Sequence, residues 1–133
     1  MSEYLAHYGV RGQRWGIRRY QNPDGSLTDA GQKRYDKNTR RIQKAKLKSD
    51  KFKAKSANRK LRANIYKNKR DRIKGRHFQT DISIARANRY DRKRARMKTR
   101  SLRYDSRAKR LKYKAAKWEA ENKRLMQTPV SSI

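Results

Sequence analysis

Six large side chains, Tyr90, Met97, Tyr104, Leu111, Trp118 and Leu125, recur at a strict spacing of seven in a stretch otherwise made of charged and small residues. Three residues before each lie Ala87, Arg94, Ser101, Ala108, Ala115 and Asn122. Residues at a spacing of three and four share one face of an α-helix, so this pattern predicts a heptad seam of large residues facing small ones along a long helix, as in a coiled coil. One position after the large residues, Asp91, Lys98, Asp105, Lys112 and Glu119 alternate in charge and flank the seam. Arg94 and Asn122 interrupt its small-residue layer. A helix with one such seam requires a partner surface, and the rest of the chain must supply it.

That surface is expected upstream. From Thr28 to Lys74 there is no proline and only one glycine, Gly31, while Lys, Arg, Ala, Gln and Leu dominate. These are good helix formers. The apolar positions of the segment (Tyr35, Ile42, Ala45, Phe52, Ala54, Ala57, Leu61, Ile65, Tyr66 and Ile73) read as a thin stripe that drifts around the helix. Ser26 or Thr28 can cap its N-terminus, with Asp29 favourably placed at the positive end of the helix dipole. Gly75 is a plausible stop, and Thr80-Asp81 provides a second cap and first-turn acid. The predicted fold is mostly α: a small Gly/aromatic N-terminal module followed by two long basic helices that fold back as an antiparallel hairpin. The expected segments are a leader at 1–6, the module and helix cap at 7–35, helix one at 36–74, a turn at 75–79, helix two at 80–126 and a tail at 127–133. Self-association through the seam, or ordering of the helices only on a partner, are the alternative packings.

Charge narrows the function. The chain carries 41 Lys and Arg against 11 Asp and Glu, a net +30, with only 33% hydrophobic residues. Residues 33–126 hold 37 of the basic side chains against 8 acids. A polyanion is the natural partner, and nucleic acid the first candidate. Arg40, Arg41, Lys44, Lys46, Lys48, Arg92, Lys93, Arg94, Arg96 and Arg100 are the candidate phosphate contacts, and their runs place cations on all sides of the helices. Such contacts neutralise phosphates without reading bases. Membrane binding is not expected, because the apolar stripe is too narrow for a surface-lying helix and no apolar run is long enough to span.

Catalysis is not expected. The two histidines, His7 and His77, lie far apart in sequence, and the acids are scattered among cations that depress rather than raise their pKa. There is no cysteine, no phosphate-binding Gly-Lys-Ser/Thr loop and no metal-ligand spacing, so neither a cofactor nor a metal is predicted. The tripeptide Arg-Tyr-Asp occurs at 34–36, 89–91 and 103–105. It reads as a seam tyrosine flanked by charges, not as a binding code.

Residues 7–35 differ from the rest. Five of the six glycines lie here, with Tyr8, Trp15 and Tyr20 among them and an Asn22-Pro23-Asp24-Gly25 turn signal. The string HYGVRGQRWGIRRYQNPDGSLTDAGQKRY resembles a short module of tailed-bacteriophage and prophage proteins that belong to the head or virion-structure genes, typically written with Lys at the positions of Arg11 and Arg14. The resemblance covers about a fifth of the chain and implies a virion-associated structural protein made in the bacterial cytoplasm. His7, Tyr8, Gly9, Arg11, Gly12, Trp15, Gly16, Arg18, Arg19, Tyr20, Asn22, Asp24 and Gly25 would then dock it on a capsid or other head protein. A second function is equally consistent with the module: its aromatics cap the open end of the helical hairpin. The rival classes are a cytosolic, sequence-independent DNA- or RNA-binding protein outside the virion and a helical assembly or scaffold protein.

Overall fold

The computed structural model describes residues 20–22, 24–76 and 80–127. The leader, the tail beyond 127 and the docking residues His7, Tyr8, Gly9, Arg11, Gly12, Trp15, Gly16, Arg18 and Arg19 lie outside the described residues, as does Pro23. The architecture is two long helices packed against each other, α1 at Asp29–Lys74 and α2 at Asp81–Met126. Both begin directly after their capping threonines, so α1 starts at Asp29 and takes in residues 29–35, which are expected from sequence to belong to the module, rather than starting at 36. Thr28 is the first cap: its Oγ1 accepts from Gly31 N at 3.1 Å and its carbonyl from Gln32 N at 2.8 Å. Ser26 is occupied elsewhere, donating its backbone N–H and its hydroxyl to Asp24 Oδ1. Thr80 does the same work for α2 through Ser83 and Ile84. Gly75 closes α1 by donating to the Asp71 carbonyl without a positive φ.

The inward face of α1 corrects the drifting stripe. Besides Gly31 and Thr39 near its start, its buried and half-buried positions are Tyr35, Asn38, Ile42, Ala45, Ser49, Phe52, Ser56, Arg59, Ala63, Tyr66, Arg70 and Ile73, an alternation of three- and four-residue steps. The seam is therefore as regular as that of α2. It escapes a hydrophobicity count because Asn38, Ser49, Ser56, Arg59 and Arg70 fill it. Meanwhile Ala54, Ala57, Leu61 and Ile65 point outward, Leu61 with 64% of its surface exposed.

Contacts divide the chain into two units, residues 43–115 and residues 1–42 with 116–133. Within 43–115 the helices run antiparallel in fixed register. Phe52 stacks on Tyr104, Arg59 reaches Met97 and Tyr66 stacks on Tyr90, seven residues up α1 for every seven down α2. Large side chains meet large ones, not the small ones. On the small-residue side Ser49 Oγ donates across to the Ala108 carbonyl at 3.2 Å. Ala63, Ala87, Ser101, Ala108 and Ala115 are almost fully buried.

In the unit made of residues 1–42 and 116–133, the segment before α1 folds over the end of α2. Asn22 and Gly25 form a tight turn, with Gly25 at φ 87°, and Gln21 pairs with Leu27 in an isolated antiparallel bridge. Gln21 is buried, and its Nε2 donates to the carbonyls of Leu125 and Gln127 at 2.8 and 2.6 Å. These are the carbonyls a helix C-terminus leaves unpaired. Gly31 permits this closure, because a Cβ there would overlap the Tyr20 carbonyl oxygen. Further in, Asn122 Nδ2 donates to Thr39 Oγ1 at 3.2 Å, Arg34 pairs with Glu121 at 2.6 Å and the Arg41 guanidinium lies over Trp118.

Candidate nucleic-acid interface

Two rows of side chains border the seam on each helix, and they differ in kind. Phe52, Tyr66, Tyr90, Tyr104 and Leu111 form the large-residue edge of unit 43–115. Beside them α1 presents Lys48, Lys55, Arg62 and Lys69, and α2 presents Arg86, Lys93, Arg100, Arg107 and Lys114, each row stepping by seven. Next out lie Lys44, Lys51 and Arg72 on α1 and Arg89, Arg96, Arg103 and Arg110 on α2. These rows hold sixteen cations and no acid. All sixteen are exposed.

Along the small-residue edge α1 carries a ladder of lysines, Lys46, Lys53, Lys60, Lys67 and Lys74. Opposite them stands the alternating row of α2. Lys60 pairs with Asp105 at 3.1 Å, and Asp91 receives Arg70 at 2.9 Å and Lys74 at 3.9 Å. Asp50, Asp71 and Asp81, the remaining acids of the unit, follow the same side by their helical positions. With the positions next out, which add Lys109 and those three acids, the rows on that side contain eight cations against five acids. The repeated Arg-Tyr-Asp tripeptides at 89–91 and 103–105 are the local unit of this segregation. Their arginine falls on the all-basic side and their aspartate on the mixed side, with the tyrosine in the seam between.

Titration follows the same division. The Asp105 carboxyl is held below the ordinary carboxylate range by the Ser56 hydroxyl, which it meets outside strict hydrogen-bond geometry, and then by Lys60. Arg70 is held more firmly protonated by Asp71 and then by Asp91. Where the alternating row offers lysine instead, repulsion results: the Lys112 amine is pushed down by the neighbouring Lys53.

On the all-basic side the aromatic edge fixes several cations. The Lys55 ammonium and the Arg107 guanidinium both lie over the Phe52 ring, at 5.9 and 5.8 Å from its centroid. Lys93 sits over both Tyr66 and Tyr90. Phe52 and Leu111 floor a groove of about 400 Å³ whose walls are Lys48, Lys51, Lys55, Arg107 and Arg110.

Of the phosphate contacts expected from sequence, Lys44, Lys48, Lys93, Arg96 and Arg100 share the all-basic side of this unit. Lys46 belongs to the mixed side, Arg92 points away from the seam, and Arg94 is half-buried within it. Arg40 and Arg41 belong to the other unit, where Arg41 is engaged by Trp118. Cations are thus sided, not distributed evenly around the helices. Lys51, Lys55, Arg107 and Arg110 were missed because they do not form a run. Their signal is a period of seven, legible only once the seam of α1 is known.

Among the described residues there is no group of three or more side chains able to hold a metal, and no helix long and apolar enough to cross a membrane. Comparison with known proteins finds no family model, no curated protein and no solved structure that matches the chain.

Proposed function

We propose that the protein binds nucleic acid through the phosphate backbone, independently of base sequence, and does so as a virion-associated structural protein of a tailed phage. The observation that carries the binding is the row of exposed cations stepping by seven along both helices, with no acid among them. Flat arrays of Lys and Arg contact phosphates, which every sequence presents alike. DNA is the partner that the virion setting implies, and that setting rests on the resemblance of residues 7–35.

Fluorescence anisotropy with two unrelated duplex DNAs tests the binding. Equal affinities that fall steeply and linearly with salt on a logarithmic plot are expected, since binding releases counterions from the phosphates. Indifference to salt would refute it. Mass spectrometry of purified, nuclease-treated particles tests the setting: the protein is expected in them, and its confinement to the host cytoplasm would favour a free nucleic-acid-binding protein.

A further inference from the structure

We infer that the phosphate backbone is bound on one side only, along the aromatic edge of residues 43–115, with the groove over Phe52 and Leu111 at its centre. This rests on the proposed nucleic-acid binding and assigns it a surface.

Lys55 comes from α1 and Arg107 from α2, yet both close on the same ring from opposite walls. Like charges brought to one ring repel, and no acid on this side relieves them. Cation–π attraction holds them there at the cost of that repulsion. A bridging phosphate removes the cost, because its oxygens accept from both side chains at once. The apolar floor adds to the effect: charges over a ring and a leucine are less hydrated than charges in open water, so an arriving anion displaces less water.

The opposite side answers differently. There Asp105 and Asp91 already occupy Lys60, Arg70 and Lys74, and each acid repels an approaching phosphate. Successive cations along a row are about 10.5 Å apart, from seven residues at 1.5 Å each. A backbone lying along the aromatic edge therefore meets a cation from either helix at every step. Along the other edge it meets an acid at every second step of α2.

Two charge-matched variants of the full-length protein test the assignment, each assayed with fluorescein-labelled mixed-sequence duplex DNA. The first carries Lys48→Gln, Lys55→Gln, Arg100→Gln and Arg107→Gln. The second carries Lys53→Gln, Lys67→Gln, Lys98→Gln and Lys112→Gln on the mixed side. Both lose four charges, and glutamine preserves helix propensity.

The first variant is expected to weaken binding at 0.1 M salt by about 100-fold or more and to flatten the salt slope by roughly 3–4, near 0.9 per lost phosphate contact. The second should change the slope by less than about 1. If circular dichroism shows the first variant misfolded, Lys51→Gln with Arg110→Gln at the groove wall keeps both cations over Phe52. That pair should flatten the slope by about 2. Equal losses on the two sides would overturn the one-sided surface while leaving nucleic-acid binding intact. Absence of salt-sensitive binding by the unmodified protein would instead refute the binding itself.

Discussion

Replacing Gly31 with alanine sets two effects of opposite sign against each other. Gly31 lies in the first turn of α1, where alanine is favoured over glycine by up to about 1 kcal/mol. Helix propensity alone therefore predicts a more stable protein. The structure predicts the reverse, because the added Cβ would collide with the Tyr20 carbonyl oxygen and crowd Leu27 Cδ2 at 3.3 Å. Moving Tyr20 breaks the Thr28 N–H bond to its carbonyl and withdraws Gln21 from the Leu125 and Gln127 carbonyls. Three hydrogen bonds at about 1 kcal/mol each amount to ~3 kcal/mol, leaving a net loss of roughly 2 kcal/mol. A thermal melt followed by circular dichroism should show Tm lowered by roughly 5–10 °C. Gly75→Ala is the control: its Cβ meets only the Asp71 carbonyl oxygen of its own turn, at 3.3 Å, and it should be within about 0.5 kcal/mol of neutral. A Gly31→Ala protein as stable as the parent, or more so, would refute the closure of residues 20–28 over the end of α2.

Two further perturbations follow from buried polar groups and from charge. Asn38 is wholly buried with neither amide atom partnered, so Asn38→Leu should stabilise the fold by about 1–3 kcal/mol in a urea titration; a loss of stability would show that the amide has a partner in solution. The Asp105 carboxyl is depressed by Ser56 and Lys60, so its stabilisation is complete above the ordinary carboxylate pKa near 4 and disappears as pH falls through the lower folded value. Acid titration of Asp105→Asn should accordingly be flatter below about pH 4 than that of the parent, and identical acid limbs would contradict the assignment.

Much of the fold is written in local chemistry. Thr28, Thr80 and Gly75 mark helix ends because capping depends on a few neighbouring atoms. The seam of α2 is visible because Tyr, Met, Leu and Trp stand out among cations. The seam of α1 is hidden for the opposite reason: burial at Ser49 and Ser56 is decided by how closely the partner backbone approaches, not by their polarity. Leu61 and Ile65, apolar yet exposed, mislead in the other direction. The interface inherits this difficulty, since a cation's side can be assigned only from the seam on its own helix. Runs such as Arg92-Lys93-Arg94-Ala95-Arg96 wrap around a helix and hide the segregation that single positions seven apart reveal. Gln21 gives no local sign of its role, because its partners lie more than a hundred residues away.

The uneven division of charge between the two edges of residues 43–115 has a kinetic consequence. A body with sixteen cations on one side and eight cations against five acids on the other carries a transverse electric dipole. On the proposed nucleic-acid binding, the field of a polyanion would exert a torque on that dipole and turn the protein toward the orientation that the proposed surface requires before any contact forms. Fewer encounters would then be wasted on the wrong side, and association should run faster than net charge alone would give. Salt should slow arrival as well as hasten departure, because it screens the torque over the same distances at which it screens attraction.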